Sequence, residues 1–311
     1  MGKYVFGVDL GGTTVKMGLF TEDAALLDKW EIPTVTDNNG VQILPDIAKS
    51  IKEKIQDREL EADEIIGVGI GAPGPIDGKG IIYKAPNLGW DVFNVAETLS
   101  GLVGFPVKAG NDANVAALGE MWKGGGAGYE NLVMVTLGTG VGGGIIVEGK
   151  VLAGYNGSGG EIGHIHVKDN EEKVCGCGNK GCLEQYASAT GIVYLATLRL
   201  AKDEAPSVLR GKQFTAKDVW DAVKAGDSLA MEVAEEFGEI LGKALASIAA
   251  TVNPEIFVIG GGVSRAGDIL LDYIEKYYTP YVFRGSRETK FALATLENDA
   301  GIYGAAKLML V

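Results

Sequence analysis

The apolar positions of the chain follow one pattern near the start and repeat it near the middle. KYVFGVDL (Lys3–Leu10) is almost continuously apolar, TVKMGLFT (Thr14–Thr21) alternates, and ALLDKWEI (Ala25–Ile32) follows an acidic turn. All three read as strands, with a glycine turn between the first two. From Pro45 to Arg58, Ile47, Ile51 and Ile55 recur every four residues with lysines opposite, which predicts a helix. EIIGVGIGAP (Glu64–Pro73) is a buried strand closing in a Gly/Pro loop. PVKAGN (Pro106–Asn111) is a short strand running into the helix DANVAALGEMW. After the glycine-rich link GGGAGYEN (Gly124–Asn131) the pattern restarts: LVMVTL, the turn Gly138-Thr139-Gly140, VGGGIIVEG, then KVLAG. Laying Val8–Thr13 beside Val135–Gly140 gives the same strand and turn positions, read as a weak internal repeat.

The last third is mostly helical. Phe237, Ile240, Leu241, Ala244, Leu245, Ile248 and Val252 line one face of a long helix that Asn253-Pro254 stops. IFVIGG (Ile256–Gly261) is a strand, Ser264 is expected to cap a helix beginning after Gly262, FALATL is a late strand, and NDAGIYGAAKLML closes the chain as a helix. Strands and helices mixed twice over predict an α/β fold in two lobes.

Composition narrows the function. The 311 residues carry a net charge of −13, which opposes a broad nucleic-acid surface but not a nucleotide held by backbone N–H groups. No secretory leader and no membrane-spanning apolar run is visible, so a cytoplasmic location is expected. The 47 glycines are clustered, which points to tight turns and close approach of backbone to ligands.

Three turns are candidate phosphate or nucleoside sites. In the first, Asp9 precedes Gly11, Gly12, Thr13 and Thr14; the glycines allow an anion nest, the threonines add donors, Lys16 adds charge, and Asp9 can hold Mg²⁺ through water. Gly138-Thr139-Gly140 is the second. Gly260-Gly261-Gly262, leading to a helix N-terminus, is the third. A plain hairpin turn accounts for any one alone, but less well for three with an Asp before the first. Asp112 lies where a strand ends and a helix begins. It can cap that helix, accept a proton from an alcohol during phosphoryl transfer, or both; Asn111 beside it can bond a neighbouring hydroxyl.

The chain's three cysteines, Cys175, Cys177 and Cys182, lie close together, and its two histidines, His164 and His166, precede them. Three thiolates with one imidazole make a closed structural zinc site, with no open position for a reacting water.

DLGGT, GAPGPID, NDANVAALGE, LGTGVGGG, GGEIGHIHV, CGCGNKGCLEQYAS and IGGGVS, in this order, resemble the ROK family of sugar kinases and repressors from about Lys3 to Met309. Within the family the chain is most similar to bacterial glucokinases. The resemblance implies an actin-like ATPase (ribonuclease H-like) fold with the active site in an interlobe cleft. It implies residues 1–112 with 300–311 as a small lobe and 113–299 as a large one. It implies Mg-ATP as donor and a hexose, glucose, as acceptor at its 6-hydroxyl, with Asp112 as base. Gly74, Asn111, Glu161, His164 and Glu184 would contact the sugar. His164, not His166, would complete the zinc site, and homodimers are common in the family. Fructose, mannose, N-acetylmannosamine or allose kinases are alternatives, as is a non-catalytic sugar sensor. Family repressors carry a helix-turn-helix before DxGGT; here the first strand begins at Lys3, so no DNA-binding module is expected.

Overall fold

A computed structural model describes residues 2–311. The chain begins with β1 (Tyr4–Leu10), β2 (Thr14–Thr21) and β3 (Leu26–Pro33), then a single turn α1 (Asp37–Gly40) and α2 (Ile43–Asp57). Strands β4 (Ile65–Ala72), β5 (Ile81–Ile82) and β6 (Phe93–Asn94) lead to α3 (Val95–Val103), β7 (Val107–Asn111) and α4 (Asp112–Lys123). The second series is β8 (Leu132–Leu137), β9 (Val141–Val147), β10 (Lys150–Val151), α5 (Glu184–Ala187), α6 (Ala189–Leu200), α7 (Ala216–Lys224) and α8 (Ser228–Val252). It ends with β11 (Ile256–Gly260), α9 (Asp268–Tyr278), β12 (Lys290–Leu293) and α10 (Ala300–Leu308).

The two large sheets have the orders β3-β2-β1-β4-β7 and β10-β9-β8-β11-β12. In each, the first three strands of the series lie side by side and two later strands add in parallel. Strand for strand the orders correspond, so the repeat read from Val8–Thr13 and Val135–Gly140 has a topological counterpart: both turns join the first two strands of their series.

The first compact unit comprises residues 1–130, 144–160 and 296–311; the second comprises 131–143 and 161–295. This division differs from boundaries at 112/113 and 299/300, because α4 belongs with the first unit. Helix α10 lies so close to α4 that a methyl group on Gly119 would meet the Ala300 carbonyl, and one on Gly304 would meet the Val115 carbonyl. The same helix presses on the sheet, where Gly7 faces the Ile302 carbonyl and Gly69 the Ala305 carbonyl. Part of the glycine content therefore serves helix–sheet approach rather than ligands. Phe6, Val8, Leu10, Ile47, Ile51, Ile70 and Leu99 form the core on the other side.

In the second unit α8 buries Phe237, Leu241, Ala244, Leu245 and Ile248, while Ile240 and Val252 are half-buried. It ends at Asn253, which adopts a left-handed conformation (φ 46°) before Pro254. Among the described residues no helix is long and apolar enough to cross a membrane.

Candidate active site

In the first unit the β1–β2 turn is closed by the Gly11 N–H donating to Thr14 O at 3.0 Å, and the Thr34 hydroxyl donates to Gly11 O at 2.7 Å. The Gly11 N–H is thus engaged within the hairpin, while Gly12 and Thr13 are exposed. Asp9, at the end of β1, lies against the first turn of α10: a methyl on Gly301 would stand 2.5 Å from its carboxyl carbon. Burial pushes the Asp9 carboxyl up to about 6, with Lys16 opposing and Asp112 reinforcing the shift. Lys16 Nζ also donates to Asn298 O at 3.3 Å.

Strand β7 delivers Asn111 and Asp112 to the start of α4. The cap is Asn111, not Asp112: Asn111 Oδ1 accepts from the N–H groups of Ala113 and Asn114 at 3.0 and 3.2 Å. Its Nδ2 donates to Gly74 O at 3.1 Å, and Gly74 sits at φ 109°, a conformation that favours glycine. Asp112 is exposed in the first helical turn, with Oδ1 accepting from Ala113 N at 2.8 Å. A helix N-terminus favours negative charge at that place. Gly74, Asn111 and Asp112 therefore form one hydrogen-bonded group.

In the second unit the Gly138 N–H donates to Gly140 O at 3.0 Å, and Gly138 O accepts from Ala189 N at 2.8 Å. Gly261, at φ 82°, packs against the Leu137 backbone: a methyl group on it would stand 2.5 Å from the Leu137 carbonyl oxygen. The second and third glycine turns are thereby neighbours. The expected helix after Gly262 is a short 3₁₀ turn over Gly262–Ala266, and α9 starts only at Asp268. Ser264 does not cap a helix: its hydroxyl donates back to Gly261 O at 2.7 Å.

His164, Cys175, Cys177 and Cys182 bring four donor atoms within 4.8 Å of one another. His164 Nδ1 lies 3.7 Å from Cys175 Sγ, and Cys177 Sγ 3.7 Å from Cys182 Sγ. Gly178 and Gly181 take φ of 91° and 74°, turning the loop back on itself. Burial and the neighbouring Cys177 and Cys175 push the Cys182 thiol up to about 12. A dication among three sulfurs would offset that penalty, and three sulfurs with one imidazole suit tetrahedral zinc. His166 lies outside the group, with Nε2 3.0 Å from Asp169 Oδ1 and Nδ1 3.0 Å from Lys180 O.

Two carboxylates flank the cluster. Glu161 Oε2 lies 4.0 Å from His164 Nε2, so the ring presents one nitrogen to sulfur and the other to a carboxylate. Glu184 Oε1 accepts from Cys175 Sγ at 3.6 Å, and its Oε2 from Val141 N at 3.0 Å. Glu184 thus ties the cysteine loop to the strand after Gly138-Thr139-Gly140. No sequence spacing signals that link.

A family model described as the ROK family matches residues 5–311. The chain belongs to the ROK family. A curated glucokinase of Halalkalibacterium halodurans is 44% identical to this ROK protein over 313 residues, covering 99% of this chain and 95% of its own. The crystal structure of a ROK family glucokinase from Streptomyces griseus, in complex with glucose and AMPPNP, covers 98% of both chains at 34% identity and a TM-score of 0.74. A ROK hexokinase from Thermus thermophilus covers 97% of this chain and 96% of its own at 31% identity and a TM-score of 0.80. The fold is accordingly that of the ROK sugar kinases, an α/β actin-like ATPase fold with mixed sheets. Within the ROK chain, the structure joins Gly74, Asn111 and Asp112 in the first unit and Glu161, His164, Glu184 and the cysteines in the second.

Proposed function

We propose that this protein transfers the γ-phosphoryl group of ATP to the 6-hydroxyl of glucose, yielding glucose 6-phosphate and ADP. The observation that carries the reading is an exposed strand-end carboxylate, Asp112, fixed by a capped helix, in a chain 44% identical over nearly its whole length to a glucokinase. Asp112 accepts the hydroxyl proton as the sugar oxygen bonds to phosphorus and the bond to the ADP oxygen breaks. Asn111 orients the sugar through the part of its amide not engaged with Gly74 and α4, and Glu161, His164 and Glu184 bind further hydroxyls. Asp9, Gly11, Gly12, Thr13, Thr14, Lys16, Gly138, Thr139, Gly140 and Gly260–Gly262 serve the nucleotide. Magnesium bound with ATP would offset phosphate charge, and Asp9 would help to hold it. His164, Cys175, Cys177 and Cys182 hold a zinc ion that braces the sugar-binding carboxylates and supplies no reacting water. The protein works in the cytoplasm, as a homodimer.

A wider hexose range is the second reading, favoured by a full-length relative named simply as a hexokinase. Fructose, mannose, N-acetylmannosamine and allose are its candidates. An ADP-release assay over a hexose panel separates the two. Asp112→Ala is expected to fold, bind glucose and lose about 10²–10⁴-fold in kcat. A variant turning over at near the normal rate removes Asp112 from the role of base.

A further inference from the structure

The chain crosses between its compact units after residues 130, 143, 160 and 295. Helix α4 meets the first-unit end of every crossing. Its own C-terminus runs into the link 124–130 that leads to the first. At the second, Gly144 packs on α4: a methyl group there would stand 2.5 Å from Ala117 Cβ and 2.8 Å from the Ala113 carbonyl oxygen. At the third, Asn114 Nδ2 donates to Gly159 O at 3.4 Å. At the fourth, the Leu296 N–H donates to Glu120 Oε1 at 2.9 Å. All of these contacts lie within the first unit. The same helix carries Asp112 in its first turn.

Glu120 serves two of the four crossings with one side chain. It is fully buried, in the third turn of α4. Besides the bond from Leu296, its Oε2 accepts from the Gly125 N–H at 2.7 Å. A carboxylate taken out of water costs free energy unless hydrogen bonds replace the water, so the position is informative. Capping of α4 would account for the bond to Gly125 alone. It does not account for Leu296, 176 residues further along the chain. The link itself is shaped by this side chain: a Cβ on Gly124 would collide with Glu120 Oε2. A carboxylate accepts on both oxygens, whereas a glutamine amide offers one acceptor and one NH₂ group. Glutamine at this position would turn donor against donor at one of the two links.

The reaction proposed above needs groups of both units at one substrate: Asp112 belongs to the first, and Glu161, His164 and Glu184 to the second. A misplacement of about 1 Å costs about 10²-fold in rate. We propose that Glu120 is a positioning residue for phosphoryl transfer. By fixing the outgoing link at Gly125 and the returning chain at Leu296 to α4, it holds the helix that carries Asp112 in register with the chain that leads to the other unit. The inference rests on Asp112 acting as the base and adds a residue that acts through it.

Glu120→Gln tests it, together with Gly124→Ala, whose methyl displaces the same carboxylate; each is made alone and in combination with Asp112→Ala. Amide hydrogen exchange at Gly125 and Leu296 is followed beside initial-rate kinetics with glucose and ATP. Each single variant is expected to exchange faster at both amides and to lose about tenfold or more in kcat, with KM for both substrates within about twofold of wild type. On the Asp112→Ala background the same substitutions are expected to lower kcat by less than about twofold, because the residue they act through is gone. An equal loss on both backgrounds makes Glu120 merely structural and overturns the proposal. Normal kcat in Glu120→Gln with faster exchange at both amides overturns it too. Should Glu120→Gln fail to fold, Gly124→Ala decides by the same criteria. Wild type without hexose phosphorylation sinks the kinase reading and this inference with it, whereas wild-type turnover with unaltered variants sinks this inference alone.

Discussion

Asp9 is a carboxylate held where burial opposes its charge, at the end of β1 against α10. Its folded pKa, about 6, lies above its unfolded value of about 3.9. The native state therefore binds the proton more tightly than the unfolded chain. Stability is greatest below the unfolded value and falls as pH rises through about 6, by up to roughly 3 kcal/mol at about 1.4 kcal/mol per unit. Asp9→Asn is accordingly expected to raise the melting temperature of the ligand-free protein at pH 7.5, with the gain shrinking at pH 4.5, while ATP turnover drops. A lower melting temperature at pH 7.5 would contradict this account. At this scale the residue types were legible and their exact duties were not. Asp and Asn are both good helix caps, so the pair Asn111-Asp112 did not reveal that Asn111 takes the cap and leaves Asp112 exposed. Ser264 looked like a cap because a helix was expected after Gly262; the chain makes a 3₁₀ turn instead, and its hydroxyl bonds backwards.

Among the elements, strands with strong periodicity were legible almost to the residue, as with β1 and β2; for α8 the end at Asn253 was legible, while its start at Ser228 lies nine residues before the first position read as helical. The three cysteines were legible as a group that could hold a metal because their spacing is local, whereas His164 was singled out only by the family resemblance. The segment's coupling to β9 through Glu184 was not legible, since that bond spans 43 residues of chain. The coupling has a consequence for metal loss. Cys177 is exposed, so Cys177→Ser removes one sulfur without opening a buried cavity. The variant is expected to purify without zinc and to show a KM for glucose raised about tenfold or more, excess Mg²⁺ giving no rescue. Elemental analysis with initial-rate kinetics checks both. Zinc-free protein with normal glucose affinity would make the cluster irrelevant to sugar binding.

Over the whole molecule, the chain passes between its two compact units four times. Sequence patterning suggested two parts and a repeat, and the matched sheet orders bear out the repeat. The position of the boundaries depends on α10 lying against α4, β1 and β4, contacts between residues far apart in the chain that no local pattern reports. Ile302, Ala305 and Ala306 are fully buried in that packing. A chain ending at Thr295 should therefore lose the cooperative unfolding of the first unit, seen as a missing transition in circular dichroism on heating; an unchanged transition would deny α10 its structural part. The same arrangement bears on synthesis. The strands that need α10 are made long before it, since β1 and β2 precede α10 by nearly the whole series of elements. At about 5–20 residues per second, Val5 and Phe20 wait some tens of seconds for the partners that cover them, Ile302 and Ala306. During translation that sheet face is a standing client for chaperones, and the first unit becomes complete only once α10 has emerged.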